Sequence, residues 1–340
     1  MNLLLLITGI LITCIATYDI IYTIFAPDGT SNISSRISSA VWKFFLLANR
    51  LTGSKKILSA AGIMVIVCIV SFWVSAVWIG NVLIFSSAPE AVVKSSNGAN
   101  ANLLERVYYT GYVLSTLGNG DFKAGTEVWE IYTAVLSFFG LMLLSIVVTY
   151  IVPVVSALTQ RQSMSIYLSS LGRSPQNILT NYWNGDSFTK LDAKLENLVK
   201  DIAHHGQLHL SYPVLHYFHN DKKLTSLLIQ VVILDEAVTL LRYYVAENKR
   251  PSHHSLEQIR IALTSYLESL RATLRINKAS SAPQLNIEEL VRAGIPVTKP
   301  TAEEEDELNK RRAFLKGCIQ NSSWTWDVLH QPIEQAKNAF

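Results

Sequence analysis

Three apolar stretches, each long enough to cross a bilayer, occupy much of the first half of this 340-residue chain. They cover residues 3–25, 57–88 and 131–160, and Asp19 is the single charged side chain within them. A helix needs about 20 residues to cross the hydrocarbon core. The sequence therefore predicts a membrane protein with three spanning helices. A cleaved signal peptide is the alternative for the first stretch. However, no basic side chain precedes it and no Ala-x-Ala site follows it, which favours an uncleaved helix.

The charges of the connecting loops predict how these helices are oriented. Five basic side chains and one acidic side chain lie between the first two stretches, whereas the loop before the third stretch has no basic excess. Because basic loops stay on the cytoplasmic side, the first loop is predicted inside and the second outside. The N-terminus is then outside, and the chain from Arg161 onward is cytoplasmic.

A glycine-spaced, mostly uncharged loop, Ser115–Phe122 with the sequence STLGNGDF, lies in the predicted external loop. Gly118 and Gly120 alternate with residues that carry side chains. Glycine tolerates a positive φ, so this spacing can turn successive carbonyls to one side of an extended backbone. A file of carbonyls is what replaces the water shell of a cation in a channel filter. An ordinary external hairpin is the alternative.

The loop and its surroundings resemble the pore loop of potassium channels, whose usual form is Thr-Val/Ile-Gly-Tyr-Gly-Asp. An apolar half-helix precedes the loop and a full apolar span follows it. The resemblance covers about residues 57–158. It implies a channel pore of the inner helix–pore loop–outer helix type. Together with the apolar stretch before this region and the helical periodicity after it, the predicted fold is an all-α membrane protein with one extra transmembrane helix before the pore and an all-helical cytoplasmic domain after it. The resemblance also implies a homotetramer, because one chain supplies one filter segment of four.

The resemblance assigns a role to each residue of the loop. Backbone carbonyls would line the ion path, with the threonine hydroxyl as the innermost ligand, the second glycine completing the turn and the aspartate attracting cations at the outer mouth. The predicted ion-selectivity filter is Thr116, Leu117, Gly118, Asn119, Gly120 and Asp121.

Two filter positions depart from the usual pattern. Leu117 replaces Val or Ile, which is a mild change. Asn119 replaces the tyrosine whose ring braces the filter against the pore helix. Its amide can instead form hydrogen bonds to Tyr108, Tyr109 or Tyr112, which are close in sequence. The preference for K⁺ over Na⁺ therefore stays open at this stage.

Two residues of the third span are candidates for gating. Gly140 lies where the resembled family often has a hinge glycine. Pro153 lies near the inner end, where proline removes a helix hydrogen bond and favours a kink. Packing alone is the alternative for both, because glycine and proline are common in membrane helices.

The predicted organisation has four parts. An amphipathic pattern with interspersed basic residues favours an interfacial helix between the first two spans, with a basic linker as the alternative. The parts are residues 1–26, the first transmembrane helix; 31–52, the interfacial helix; 57–160, the pore domain; and 161–340, the helical cytoplasmic regulatory domain. Within the pore domain, residues 57–85 and 129–158 are transmembrane helices, 103–115 the pore helix and 116–121 the filter.

Helical periodicity continues through the cytoplasmic region, where charges of both signs are regular. A soluble core helix is favoured over a fourth span at Leu224–Val245, because Asp235, Glu236 and Arg242 interrupt it. Gly206 is predicted to end the first long helix. The predicted helices are Ser187–His205, Lys223–Glu247, His254–Ile276, Ile287–Ala293, Ala302–Ile319 and Ser323–Lys337.

The sequence predicts no cofactor and no metal beyond permeant K⁺. The pairs His205/His209 and His216/His219 lack the acidic or cysteine ligands of a metal site, which leaves pH sensing open. The three cysteines form no C-x-x-C pair, and the net charge of +3 does not suggest nucleic acid. No voltage-sensor helix and no Rossmann glycine motif are present.

Three functions fit these patterns to different degrees. A tetrameric potassium-type cation channel, gated by its cytoplasmic domain, is favoured. A non-conducting membrane sensor, whose cytoplasmic domain binds a ligand or protein partner, is the alternative. A membrane enzyme is disfavoured, since no nucleophile–base pair or P-loop is present. A bacterial inner membrane is the predicted location.

Overall fold

The computed structural model describes residues 1–26, 31–52, 56–220, 222–273, 281–322 and 324–331. These residues are mostly helical, with two short strands, which confirms the predicted all-α membrane fold. The longer helices are α1 Leu3–Phe25, α2 Asn32–Thr52, α4 Ala61–Ser86, α5 Leu103–Leu114, α6 Glu127–Leu171, α7 Pro175–Tyr182, α8 Thr189–Ser211, α9 Leu227–Tyr243, α10 His253–Thr273 and α12 Ala302–Asn321, and the short ones are α3 Lys56–Ser59 and α11 Glu288–Arg292.

Three of these helices are long and apolar enough to cross a membrane. They are α1, the segment Ile57–Ser86 that contains α4, and α6. The chain divides into a first compact unit, residues 1–51 and 61–155, and a second unit, residues 52–60 and 156–340.

In the first unit, α1 and α4 pack closely along their length. Asn2 N–H donates to the Ser87 carbonyl (2.5 Å), and Gly9 faces Gly80, so the two helices run antiparallel. A Cβ at Gly9 would lie 2.5 Å from the Gly80 carbonyl oxygen. Small residues let membrane helices approach this closely, which increases their van der Waals contact. This contact matters because the hydrophobic effect does not drive helices together within lipid.

Between α4 and α6 the chain forms a compact segment around α5. Two short strands, β1 Val93–Lys94 and β2 Phe122–Lys123, pair antiparallel with Val93 opposite Lys123. This pairing holds the chain on both sides of α5 together. A buried hydrophobic cluster in this segment includes Phe85, Tyr109, Tyr112 and Leu136.

The second unit is a helical domain built around α9. Residues 227–241 of α9 are all buried, including Asp235 and Glu236. Leu191, Leu195, Leu198 and Ile202 of α8 and the apolar face of α10 join the same core. The carboxylates are paired with arginines inside this unit, and α9 is not among the membrane-capable helices, so the core-helix interpretation of this segment is confirmed.

Several predicted helix limits differ from the structure. The prediction that Gly206 ends a helix is wrong, because α8 continues through it to Ser211. The helix predicted from Lys223 begins at Leu227, after a 3₁₀ turn, and ends at Tyr243. In the last predicted helix, Ser323–Lys337, the described residues form only a 3₁₀ turn, Trp326–Leu329, and residues 323 and 332–337 lie outside the described residues. The end predicted for another helix at Ile276 also lies outside them.

The third apolar helix is longer than its apolar stretch. A helix was predicted over 129–158, but α6 runs unbroken from Glu127 to Leu171. Hydropathy marks where a helix leaves the hydrocarbon, whereas backbone hydrogen bonding decides where the helix ends. The polar residues after 158 are therefore helical too.

Candidate functional site

The half-helix α5 is fixed at its start by a capping box. Glu105 N–H donates to Asn102 Oδ1 (3.0 Å), and Asn102 N–H donates to Glu105 Oε2 (2.8 Å). This reciprocal pair satisfies two of the backbone donors that a helix start leaves without partners. Lys94 of β1 also contacts Glu105 (2.9 Å), which joins the strand pair to α5.

A buried arginine holds the same end of α5 against the end of α4. Arg106 donates through Nε to the Ala101 carbonyl (3.0 Å) and through its two Nη atoms to three further carbonyls. A buried guanidinium is stable when its donors are satisfied in this way. Removing the Arg106 side chain would leave several carbonyls without partners near the start of α5. The carbonyl partners are those of Phe85, Ala88 (2.8 Å), Pro89 (2.9 Å) and Ala101.

After α5 the backbone takes an alternating conformation. The φ angles of Thr116, Gly118 and Gly120 are +58°, +61° and +81°. Successive carbonyls of an extended strand point to opposite sides. A left-handed conformation at every second residue turns them toward the same side, and glycine adopts it without steric cost.

Thr116 is the informative member of this series. It is the one non-glycine residue with a positive φ among the described residues. For a β-branched side chain this conformation is a genuine outlier, costing on the order of 1–3 kcal/mol, and such strain clusters at functional sites. The sequence gives no sign of it, since threonine is ordinarily a strand former.

The predicted hydrogen bond of Asn119 is confirmed, and its partner is Tyr108. Asn119 Nδ2 donates to the Tyr108 hydroxyl, which in turn donates to Asp121 Oδ2 (3.2 Å). The tyrosine ring lies edge-on to Tyr112 (5.3 Å between centroids) and to Phe122 (6.1 Å). A tyrosine of α5 therefore fastens two side chains of the loop.

The other two tyrosines of α5 have different partners. Tyr112 donates to the Phe122 carbonyl (2.6 Å), and the Tyr109 hydroxyl pairs with Thr133 Oγ1 of α6 (2.8 Å). These bonds tie α5 to the end of the loop and to α6. Tyr108 and Tyr112 thus hold the loop from α5, whereas Tyr109 holds α5 against α6.

The loop itself is exposed in the single chain. Residues 115–121 are all exposed, and 65% of the Leu117 surface is accessible. Beside it is an apolar cavity of about 650 Å³ between α4, α5 and α6. The exposed Leu117 side chain and the neighbouring cavity together form an exposed apolar surface. Exposed apolar surfaces of this kind typically mark an interaction site.

The two predicted gating residues both lie inside an unbroken α6. A Cβ at Gly140 would lie 2.0 Å from the Leu114 carbonyl oxygen at the end of α5, so glycine permits this close approach. Pro153 lies within the helix, next to Val152 and Val155, which are exposed. Gly140 therefore has a packing role in this structure, and the hinge and kink roles stay predictions.

This region of the chain is similar to known ion channels. A family model described as "Ion channel" matches residues 67–157, which span most of α4, all of α5 and the loop, and α6 as far as Ala157. The chain belongs to this family of pore-loop ion channels.

The whole chain also has a curated relative. It is similar to the "Uncharacterized membrane protein YdjJ" of Bacillus subtilis (strain 168), with 31% identity over 336 residues, covering 97% of this chain and 97% of that protein. The similarity therefore includes the second unit. The three apolar helices, together with this membrane-protein relative, show that the chain is a multi-pass membrane protein. No solved structure matches it.

Some site residues were not identified from the sequence. Arg106 and the contact between Gly140 and Leu114 depend on tertiary packing that no local pattern encodes. A usable signal existed for Arg106, since a lone arginine in an otherwise apolar half-helix needs buried acceptors.

Proposed function

We propose that the protein is one subunit of a homotetrameric, potassium-type cation channel in a bacterial inner membrane. The carbonyls of residues 116–119 replace the hydration shell of K⁺, and the Thr116 hydroxyl is the innermost ligand. Gly120 completes the turn, and Asp121 attracts cations at the outer mouth. The N-terminus is outside, and residues 161–340 form a cytoplasmic domain that gates the pore.

The alternating positive φ at Thr116, Gly118 and Gly120 carries this proposal. It is the backbone condition for a file of aligned carbonyls, and it includes a strained threonine that a simple hairpin does not need. The C-terminal end of α5 points its helix dipole toward the same loop, which favours a cation there.

Exposure of the loop supports the tetramer. Backbone outside a helix is tolerated at membrane depth only where protein or a water-filled path surrounds it. The single chain leaves residues 115–121 uncovered. Four copies around one axis place these segments against each other and around the ion path.

Cation flux into liposomes tests the proposal, with a matched pair of glycine variants. Gly118→Ala and Gly98→Ala both place a Cβ on a positive-φ residue with no atom within 4 Å, but Gly98 lies in the external loop before α5. Each substitution costs about 1–2 kcal/mol of backbone strain. We expect wild type and Gly98→Ala to show barium-blocked K⁺ flux exceeding Na⁺ flux, and Gly118→Ala to lose it.

The possible results separate the cation channel from the non-conducting membrane sensor. Equal loss in both variants would assign the effect to strain alone. Absence of flux from tetrameric wild-type protein would contradict the channel and favour the non-conducting sensor with a cytoplasmic partner. A monomer in lipid nanodiscs would contradict the assembly.

A further inference from the structure

A carboxyl group is buried inside the membrane-spanning part of the first unit. Asp19 of α1 has no accessible surface. Acidic residues in spanning helices are costly, and they mark functional positions whose partners can be named. The partners of Asp19 come from two other helices.

Both carboxyl oxygens accept hydrogen bonds. Oδ1 accepts from the Ser31 hydroxyl and, at 3.4 Å, from Ser34 N–H, while Oδ2 accepts from the Ser34 hydroxyl (2.7 Å) and from Trp73 Nε1 (2.6 Å). Ser31 immediately precedes α2, Ser34 is in its first turn, and Trp73 is in the middle of α4. Asp19 therefore joins α1, α2 and α4 at one buried point.

The contact continues from Trp73 to α6. Its ring meets that of Tyr150 edge-on, with 6.2 Å between centroids and 67° between planes. Trp73 is fully buried and Tyr150 almost so. Tyr150 lies three residues before Pro153, the predicted kink. A continuous line of contacts thus runs from α2 through Asp19 and Trp73 to the inner part of α6.

We propose that Asp19 is a positioning residue for gating, and that it couples the position of α2 to the conformation of α6. This inference rests on the proposed channel function. With α2 in place, four donors satisfy the carboxyl group. If α2 moves away, the two serine hydroxyls leave, and the group must draw another donor or shift Trp73, because a buried polar oxygen without partners is costly.

The structure shows one arrangement of this coupling, in which the Trp73 indole donates to Asp19 while its ring meets Tyr150 edge-on. The coupling requires a second arrangement of Trp73, reached when α2 moves away. Coupling between distant parts of a protein needs such a two-state element, which both ends bias. Here the element is the Trp73 side chain.

Three variants and one control test the coupling in single-channel recordings. Ser34→Ala removes a donor to Asp19, and Trp73→Phe keeps an aromatic ring but removes the indole N–H. Ser35→Ala is the matched control, since Ser35 is exposed and its hydroxyl has no described contact with Asp19. The double variant Ser34→Ala/Trp73→Phe tests whether the two act through one group.

We expect Ser34→Ala and Trp73→Phe each to change the open probability by about fivefold or more in the same direction. The double variant should change it no further than the larger single change, and Ser35→Ala should leave it unaltered. The K⁺/Na⁺ permeability ratio should stay at the wild-type value in all four, since the filter is not involved.

Wild-type gating in both single variants would overturn the coupling, as would independent, additive effects in the double variant. A changed permeability ratio would also overturn it, because it would show general distortion of the pore. Absence of current in wild type would overturn the proposed function, and the coupling with it. Wild-type current with unaltered variants would overturn the coupling alone.

Discussion

Tyr108 shows how a single hydroxyl group can hold two side chains of the proposed filter loop. The resembled channels brace the filter with a tyrosine at the position of Asn119. Here the phenol is on α5 and reaches the loop from outside, accepting from Asn119 and donating to Asp121. In the proposed channel, Tyr108 therefore supplies from α5 the bracing that the resembled channels obtain from a tyrosine in the loop.

Tyr108→Phe should lower the K⁺/Na⁺ permeability ratio. The ring and its contacts with Tyr112 and Phe122 remain, but both hydrogen bonds to the loop are lost. Each bond contributes about 0.5–1.5 kcal/mol, so the loss of both removes about 1–3 kcal/mol, and we expect the ratio to fall by about fivefold or more. Reversal potentials under bi-ionic conditions measure this ratio.

Tyr109→Phe is the control for the loss of one phenol from α5. Its hydroxyl pairs with Thr133 of α6 and not with the loop. We expect its permeability ratio to stay near that of wild type. A Tyr108→Phe channel with the wild-type ratio would show that the hydroxyl does not hold the filter.

Gly140→Ala distinguishes packing from hinge bending. The added Cβ would lie 2.0 Å from the Leu114 carbonyl, so α5 or α6 must shift. We expect a changed permeability ratio or loss of the tetramer, measured by reversal potential and native mass spectrometry. A hinge would instead give altered open probability with an unchanged ratio, and that result would contradict the packing role.

At the scale of elements, α9 depends on buried ion pairs. Asp235 contacts Arg260 Nη1 (3.0 Å) and binds Arg311 through Nε (2.9 Å) and Nη2 (2.5 Å). Burial alone would raise the pKa of Asp235, but the two arginines outweigh it and hold the pKa below its ordinary value. The Asp235 carboxylate is therefore ionised in the core, and its ionised form depends on both arginines for stabilisation.

Arg311→Gln should destabilise the second unit strongly. It leaves the buried Asp235 with one cation, a change that costs about 3–5 kcal/mol. Arg242→Gln is the matched control, because Arg242 contacts the partly exposed Glu257 (2.6 Å), and such pairs contribute about 0–1 kcal/mol. Scanning calorimetry of the full chain in detergent compares the two. Equal losses in both variants would contradict the assignment.

Hydropathy predicted the long helices of the first unit, and glycine spacing predicted the conformation of the loop after α5. The three long apolar stretches became helices, and the loop after α5 has positive φ at both glycines that the sequence singled out. The bond between Asn119 and a tyrosine of α5 was also predicted, although proximity in sequence left three candidates. These features were predictable because each depends on residues close together in the chain.

Features that depend on distant residues were not predictable. Gly206 was expected to end a helix, and its helix propensity is about 1 kcal/mol poorer than that of alanine. In the structure it faces the backbone of Tyr266 in α10, where a Cβ would lie 3.3 Å from the Cα atom. Close packing of α8 on α10 therefore outweighs local propensity. The strain at Thr116 and the acceptors of Arg106 are equally invisible in the sequence.

At the scale of the whole molecule, titratable histidines are confined to one unit. All eight lie after residue 200, in the second unit. Burial lowers the pKa of His205 and of His216 to about 4, with Arg161 adding to the effect, and it lowers the pKa of His209 well below the ordinary value. The two units should therefore respond differently to acid.

The sign of the response follows from proton binding. Between pH 6.5 and about 4 the unfolded chain protonates these histidines, whereas the folded unit keeps them neutral. Stability of the second unit is then complete above pH 6.5 and falls as the pH is lowered, by up to about 1.4 kcal/mol per pH unit for each histidine.

Calorimetry at pH 7.5 and pH 5 should show this difference within one molecule. We expect the transition of the second unit to move to lower temperature at pH 5, while that of the first unit, which has no histidine, moves less. His205→Gln should reduce the shift, because it removes one group that protonates on unfolding. His254→Gln, at an exposed position, should leave the shift unchanged. Equal acid shifts in wild type and His205→Gln would show that this histidine is not held neutral by the fold.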